Sequence, residues 1–206
     1  MSGAKGTRIL MLTDESGKTQ MKGRLMPYVE VDPDLPGIVG LLRFRPETGK
    51  PLSELAEVLL RGPHTLTRGE RELIAAYVSS LNKCHFCASS HGAFAAAQLP
   101  DGMSLVEQVE ADPGQAPISP KLRELLIVAA KVQRGGGEVT PGDIASARAA
   151  GASDIEIHDT VLITAAFCMY NRYVDGLATI APDDPSVYAR QAEQIVANGY
   201  MSALAG

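Results

Sequence analysis

Along most of the chain, apolar residues recur three and four positions apart between short breaks rich in Gly, Pro, Ser and Asp, the pattern of successive amphipathic helices. Leu52, Leu55, Val58 and Leu59 predict a helix over residues 51–60, ended by Arg61-Gly62-Pro63. Thr67 with Glu70 forms a capping box ahead of the run 73–78, so a second helix is expected from near Arg68 to about Leu81. Asn82 is placed to cap a further helix that carries Cys84, Cys87 and His91 through Phe94 to Ala97, closed by Leu99-Pro-Asp-Gly102. In the second half, Ser119-Pro120 opens a helix through Leu122, Leu125, Leu126 and Ala129, ending at residues 135–137. Thr140-Pro141 with Asp143 opens a short one. Ser153 with Glu156 is another capping box and starts a long apolar helix, Ile155 to about Val174, expected to be the most buried element and stopped by Asp175-Gly176. Residues 1 to about 50 read as an irregular arm, because Pro27, Pro33, Pro36 and Pro46 interrupt any long helix. No segment sustains an alternation of period two, so no sheet is expected and the fold class is all-α. The two halves share a helix-turn-helix rhythm without a residue-level repeat.

Composition narrows the function classes. A chain of 206 residues that is 45% hydrophobic can bury one substantial core. Its net charge of −5 is interspersed, with no basic stripe, which excludes nucleic acid as an expected partner. No apolar run approaches the ~20 residues that span a bilayer, so no membrane partner is expected either. The start MSGAKGTRILMLTDESG has too short an apolar stretch for a secretory leader, and a cytoplasmic location is the expectation. Three cysteines are too few, and odd in number, for a disulfide framework, which turns attention to their chemistry.

Glu72, Cys84, Cys87 and His91 stand in the arrangement E-x11-C-x-x-C-x-x-x-H. Three residues along a helix bring Cys84 and Cys87 to one face with Cα atoms about 5–6 Å apart, close enough for a disulfide. His91 extends the same stripe, where an imidazole can move protons for either sulfur. Thiolates rather than thiols attack peroxides, and a helix N-terminus or a nearby imidazolium lowers a cysteine pKa. Glu72, on the preceding helix, can orient His91 as a base. Other readings weigh against this one. The pair could be buried and inert. Cys84, His85, Cys87 and His91 have the ligand types of a zinc site, but adjacent positions on one helix fan Cys84 and His85 about 100° apart. A thioredoxin-type site needs a preceding strand, which the pattern lacks. Cys168 reads as core, His64 and His158 as solvated surface, and Arg172 with Asp175 as a pair at a helix end.

The stretch Arg61-Gly-Pro-His-Thr-Leu-Thr-Arg-Gly-Glu-Arg-Glu-Leu-Ile-Ala-Ala-Tyr-Val-Ser-Ser-Leu-Asn-Lys-Cys-His-Phe-Cys-Ala-Ser-Ser-His91 resembles the core of the alkyl hydroperoxidase D-like, carboxymuconolactone decarboxylase superfamily. Residues 162–177, Leu-Ile-Thr-Ala-Ala-Phe-Cys-Met-Tyr-Asn-Arg-Tyr-Val-Asp-Gly-Leu, are similar to the C-terminal signature of its "peroxidase-related" branch. The resemblance implies a single helical bundle over residues 25–206 behind a tail of residues 1–24, with the CxxC core within about 50–100. It implies that Cys87 attacks the hydroperoxide and becomes a sulfenic acid, that Cys84 resolves it as a disulfide, and that Glu72 and His91 form the proton relay. In the best-known members a histidine precedes the second cysteine; here Phe86 holds that place and His85 stands one earlier. The helix dipole by itself favours Cys84 as the more acidic thiol.

The leading expectation is therefore a thiol peroxidase that reduces hydrogen peroxide or organic hydroperoxides, with an apolar pocket supplied by Phe86, Tyr77 and Leu81. It calls for no cofactor and no metal. Its partners are the peroxide, a dithiol reductant and further copies of the chain in a homo-oligomer, a trimer or hexamer as the resemblance implies. The rivals are a redox-sensing or non-catalytic oligomer of the same fold, and a lactone decarboxylase, whose branch generally lacks the CxxC pair.

Overall fold

The computed structural model of the chain describes residues 11–13, 19–21 and 24–204. The first elements are three short strands, β1 (Met11–Thr13), β2 (Thr19–Met21) and β3 (Arg24–Leu25), paired antiparallel in that order. This corrects the expectation that the chain holds no sheet. Strands of two or three residues are too short to display an alternating pattern. From residue 38 onward all regular structure is helical, and the fold is all-α.

Two helices occupy ground expected to be irregular. Helix α1 (Ile38–Phe44) buries Leu41 and Leu42. Helix α2 (Pro46–Arg61) starts five residues before the expected position, with Pro46 in the first turn, where its fixed φ and missing N–H cost nothing. Pro51 lies inside it. The missing Pro51 N–H frees the carbonyl of Glu47, an exposed residue whose backbone water can satisfy. The buried face of α2 is Ser53, Ala56, Leu59 and Leu60, while Val58, expected among the apolar contacts, is 67% exposed.

Helix α3 (Arg68–Leu81) begins at the Thr67/Glu70 capping box, as the sequence predicts. Helix α4 (His85–Ala96) follows after one tight corner, and Asn82, expected to cap it, instead closes α3. Lys83 takes a left-handed φ of 59°. The Lys83 N–H donates to Ser80 O at 2.9 Å and the Cys84 N–H to Ser79 O at 3.1 Å, the bonding pattern of a Schellman C-cap. Cys84 is thus the residue that finishes one helix and caps the next. A polar cluster holds this corner: buried Asn171 accepts from Asn82 at 2.7 Å and donates to Ser79 Oγ at 3.1 Å, and Gln133 donates to Asn82 Oδ1 at 2.9 Å.

The remaining helices are α5 (Gly102–Ala111), α6 (Pro120–Arg134), α7 (Pro141–Ala149), α8 (Asp154–Gly176) and α9 (Pro185–Asn198), with 3₁₀ turns at Gly136–Glu138 and Tyr200–Leu204. Ser119, Thr140 and Ser153 cap α6, α7 and α8 as predicted. The main core lies where α3, α6 and α8 meet, through Leu73, Ile74, Leu125, Leu126, Ile163 and Phe167, each at most 1% exposed. The most completely buried long helix is α3 rather than α8, whose Ile155, Leu162 and Met169 face outward. A second, smaller cluster joins Cys84, Phe86, Cys87 and Phe94 to Val174 of α8 and to Tyr188 and Ala192 of α9. The thiols sit inside that cluster.

Candidate active site

Glu72 on α3 is 1% exposed, a carboxylate among apolar neighbours. A buried charge of that kind persists only if its lone pairs are used. They are: one oxygen takes the Nδ1 position of His91 at 2.7 Å and the other accepts the Tyr200 hydroxyl at 2.6 Å. The His91 ring is held edge-on by Phe167, centroids 4.5 Å apart, and by Phe94 at 5.1 Å, and it stacks on Tyr200. His91 lies one helical turn beyond Cys87 on α4, so both side chains share a stripe.

Cys84, Cys87 and Cys168 are free thiols. The expected single stripe begins at Cys87, because Cys84 is the N-cap residue, with extended φ and ψ, and not part of the helix. Cys84 and Cys87 form a near pair, and only Cys87 is within the helix. Its hydrogen bond to Cys87, then burial, and lastly a bond to the Asp175 carboxylate push the Cys84 thiol well above its ordinary value. The raised Cys84 thiol runs against the helix-dipole argument for an acidic Cys84, because burial beside a neighbouring sulfur favours the protonated form.

A cavity of about 340 Å³ opens beside this group. Cys87, His91 and Tyr200 line it, and Cys84 does not. Phe86 is on its wall as expected, but Tyr77 and Leu81 are not: Tyr77 packs in the main core and Leu81 is exposed. The apolar wall comes instead from Leu52 and Ala56 of α2, Phe94 of α4, and Phe167 and Tyr170 of α8. Among the described residues, no cluster of three or more His, Cys, Asp or Glu side chains is placed to hold a metal ion. His85 is exposed while both neighbouring thiols are buried.

The other singled-out residues fall elsewhere. Cys168 is part-buried against the main core and receives the Asn82 amide at 3.6 Å. His158 is on the surface beside Asp159, as expected. His64 is not: its side chain is 3% exposed, accepts from the Leu66 N–H at 2.9 Å and faces Asp159 at 3.3 Å, so it folds the turn rather than meeting solvent. Arg172 does not pair with Asp175. It donates back to the Cys168 carbonyl at 2.7 Å, and Asp175 approaches Cys84. Tyr200 was missing from the expected set altogether.

Residues 46–101 and 97–181 match the carboxymuconolactone decarboxylase family. The chain belongs to this family. Among solved structures, an uncharacterized peroxidase-related protein from Silicibacter sp. TM1040 is 30% identical, with a TM-score of 0.68 over 76% of this chain and 80% of that one. An uncharacterized peroxidase-related protein from Ralstonia eutropha JMP134, an alkylhydroperoxidase AhpD core, is 27% identical with a TM-score of 0.68 over the same shares, 76% and 80%. A protein of unknown function from Agrobacterium tumefaciens shares the fold at 20% identity, with a TM-score of 0.60 over 72% of this chain and 99% of that one. No curated protein matches the chain. No helix among the described residues of this family member is long and apolar enough to cross a membrane.

Proposed function

We propose that the protein is a thiol peroxidase that reduces hydrogen peroxide or organic hydroperoxides through a Cys84/Cys87 dithiol–disulfide cycle. One observation carries the reading: of two thiols in contact, only Cys87 lines the cavity, beside an imidazole whose other nitrogen is held by a buried carboxylate.

In the first step the Cys87 thiolate attacks the terminal oxygen of ROOH. The S–O bond forms, the O–O bond breaks, and the alkoxide leaves with a proton from His91, so the sulfur is oxidised by two electrons to a sulfenic acid and the peroxide is reduced to ROH. Cys84 then attacks the Cys87 sulfur, the S–S bond forms and water departs, with the Cys84 proton released as it reacts. That proton neutralises the departing hydroxide, which leaves as the water. An external dithiol reduces the disulfide and restores both thiols. The raised Cys84 thiol suits it to the resolving role, since it stays protonated until its partner is oxidised. A lactone decarboxylase, working by acid–base chemistry, has no use for a paired thiol behind the one at the cavity wall.

The outward Ile155, Leu162 and Met169, spaced by seven along α8, support a homo-oligomer that covers this face, and light scattering should return a mass above that of one chain. Stopped-flow peroxide consumption by the reduced protein tests the activity. The parent should consume peroxide and form one disulfide, and Cys87→Ser should abolish both. Turnover unchanged in Cys87→Ser would refute the assignment.

A further inference from the structure

Tyr200 comes from the far end of the chain, yet its hydroxyl lies between the two groups on which the proposed relay depends. It donates to Glu72 Oε1 at 2.6 Å and sits 3.5 Å from His91 Nδ1. Three contacts hold it there. Arg61 of α2 donates to the Ile195 and Val196 carbonyls at 2.7 and 3.0 Å, gripping the C-terminal end of α9. Gly199 then turns the chain with a left-handed φ of 79°, a conformation that suits glycine. The Tyr200 N–H donates to Glu57 Oε2 at 2.7 Å, and the other oxygen of Glu57 holds Arg61 at 3.0 Å. A Cβ at Gly199 would lie 2.5 Å from the Glu57 carboxylate, so the corner admits no larger residue without displacing that support.

We propose that Tyr200 is a positioning residue of the thiol site, whose hydroxyl clamps Glu72 so that the carboxylate keeps the His91 Nδ1–H and leaves Nε2 as the base. The inference rests on the peroxidase reading for its use in turnover, but the clamp itself is a property of the protonation of His91. A carboxylate with one lone pair taken by a neutral donor is less basic than one without it, and competes less for the imidazole proton. Burial, with the Glu72 charge behind it, pushes the Tyr200 hydroxyl well above its ordinary value, so it acts as a donor at every working pH. Remove the hydroxyl and Glu72 Oε1 is left buried without a partner. The pair then recovers charge balance by holding a proton more tightly, either as imidazolium or as a neutral carboxyl, and His91 is available as a base only at higher pH.

The other charged or titratable groups around the pair are Arg71 on α3, Cys87 on α4, the Glu57–Arg61 pair on α2, Tyr170 on α8, and Asp34 and Arg43 on the cavity wall. Helix α9 presents the amides of Gln191 and Gln194 and the apolar Ile195 to the cavity. Tyr200→Phe leaves all of these in place, together with the ring that packs on Phe94 and His91.

The test uses the full chain with Cys84→Ser and Cys168→Ser, so that Cys87 is the one thiol, and follows its alkylation by iodoacetamide from pH 5 to 9. Tyr200→Phe should move the acid limb of this profile, and that of peroxide consumption in the parent background, upward by at least about half a pH unit, with the rate regained on the alkaline side. An unmoved midpoint, or a uniform loss at every pH, would overturn the proposal, because a residue that only packed would do no more. In the unmodified protein, ¹⁵N NMR should find His91 protonated at Nδ1 near neutral pH, and finding the proton on Nε2 would overturn it without any variant. A parent that consumed no peroxide while Tyr200→Phe still shifted the alkylation limb would sink the peroxidase reading and support the clamp.

Discussion

Glu72→Gln keeps the volume of the side chain and removes its charge, which separates proton chemistry from packing. Glu72 accepts two short hydrogen bonds, from His91 at 2.7 Å and Tyr200 at 2.6 Å. An amide offers one acceptor oxygen and one NH₂ group. If the amide oxygen meets Tyr200, its NH₂ faces the imidazole and forces the opposite tautomer. If the oxygen meets His91, the tautomer survives but the imidazolium that forms in turnover has lost its counter-charge. At an effective dielectric constant of about 20, opposite charges ~4 Å apart attract by about 4 kcal/mol. Losing most of that in the transition state should slow turnover by about 10²- to 10³-fold. The stability cost is smaller. Two charge-assisted bonds become neutral ones at about 1 kcal/mol each, partly offset by the easier burial of an amide, leaving about 1–2 kcal/mol, or a Tm lower by about 2–8 °C for a chain of this length. Stopped-flow peroxide consumption alongside thermal melts followed by circular dichroism measures both. A variant that folds and turns over at the parent rate would show that Glu72 is only a satisfied core carboxylate, and one that loses its helical signal would show that the residue is structural.

Three further outcomes follow from the same geometry. Peroxide-treated protein should carry a reversible Cys84–Cys87 disulfide with Cys168 reduced, read by mass spectrometry of the digest, and a dominant bridge to Cys168 would contradict the assignment. Gly37→Ala should cost about 2–4 kcal/mol and lower kcat/KM for a bulky organic hydroperoxide, because Gly37 has a φ of 58° and its Cβ would run into the Phe86 ring on the cavity wall; full stability in melts would refute it. Burial alone would push the Glu156 carboxyl up, but Lys121, Ser153 and Thr65 outweigh it and hold it at about 2 against an ordinary 4.5. A depressed carboxyl stabilises the fold fully above about pH 4.5 and loses that contribution as pH falls towards 2. Glu156→Gln should therefore lower Tm at neutral pH, and the gap to the parent should close on acidification.

How much of this was legible in the sequence depended on whether the deciding partner was near in the chain. Capping boxes at Thr67/Glu70, Thr140/Asp143 and Ser153/Glu156 are local, their partners three positions apart, and fixed the starts of α3, α7 and α8. The Glu72, Cys87 and His91 group was legible because two consecutive helices carry all of it. Helix α2 was seen only in part, since Pro51 reads as a first-turn proline when the real first turn, at Pro46, lies five residues upstream. The Asn82 cap failed because Lys83, a non-glycine residue, takes the left-handed position on which the corner turns. Arg172 and Asp175 looked like a pair by spacing, but Arg172 folds back onto the Cys168 carbonyl of its own helix. Tyr200 carried no signal: its partner Glu72 is 128 residues away, and only the Gly199 before it hinted at a deliberate turn.

The placing of Cys87 on the cavity and Cys84 behind it has a kinetic consequence. Among the described residues Cys87 is the one sulfur that lines the cavity, so if the protein is the proposed peroxidase, reductant and peroxide use the same entrance by turns. On the peroxidase reading, initial rates should give parallel double-reciprocal lines, with each substrate inhibiting at high concentration by occupying the form of the enzyme meant for the other. Cys87 is 4% exposed, so on that reading the reductant, like the peroxide, has to enter the cavity to reach it.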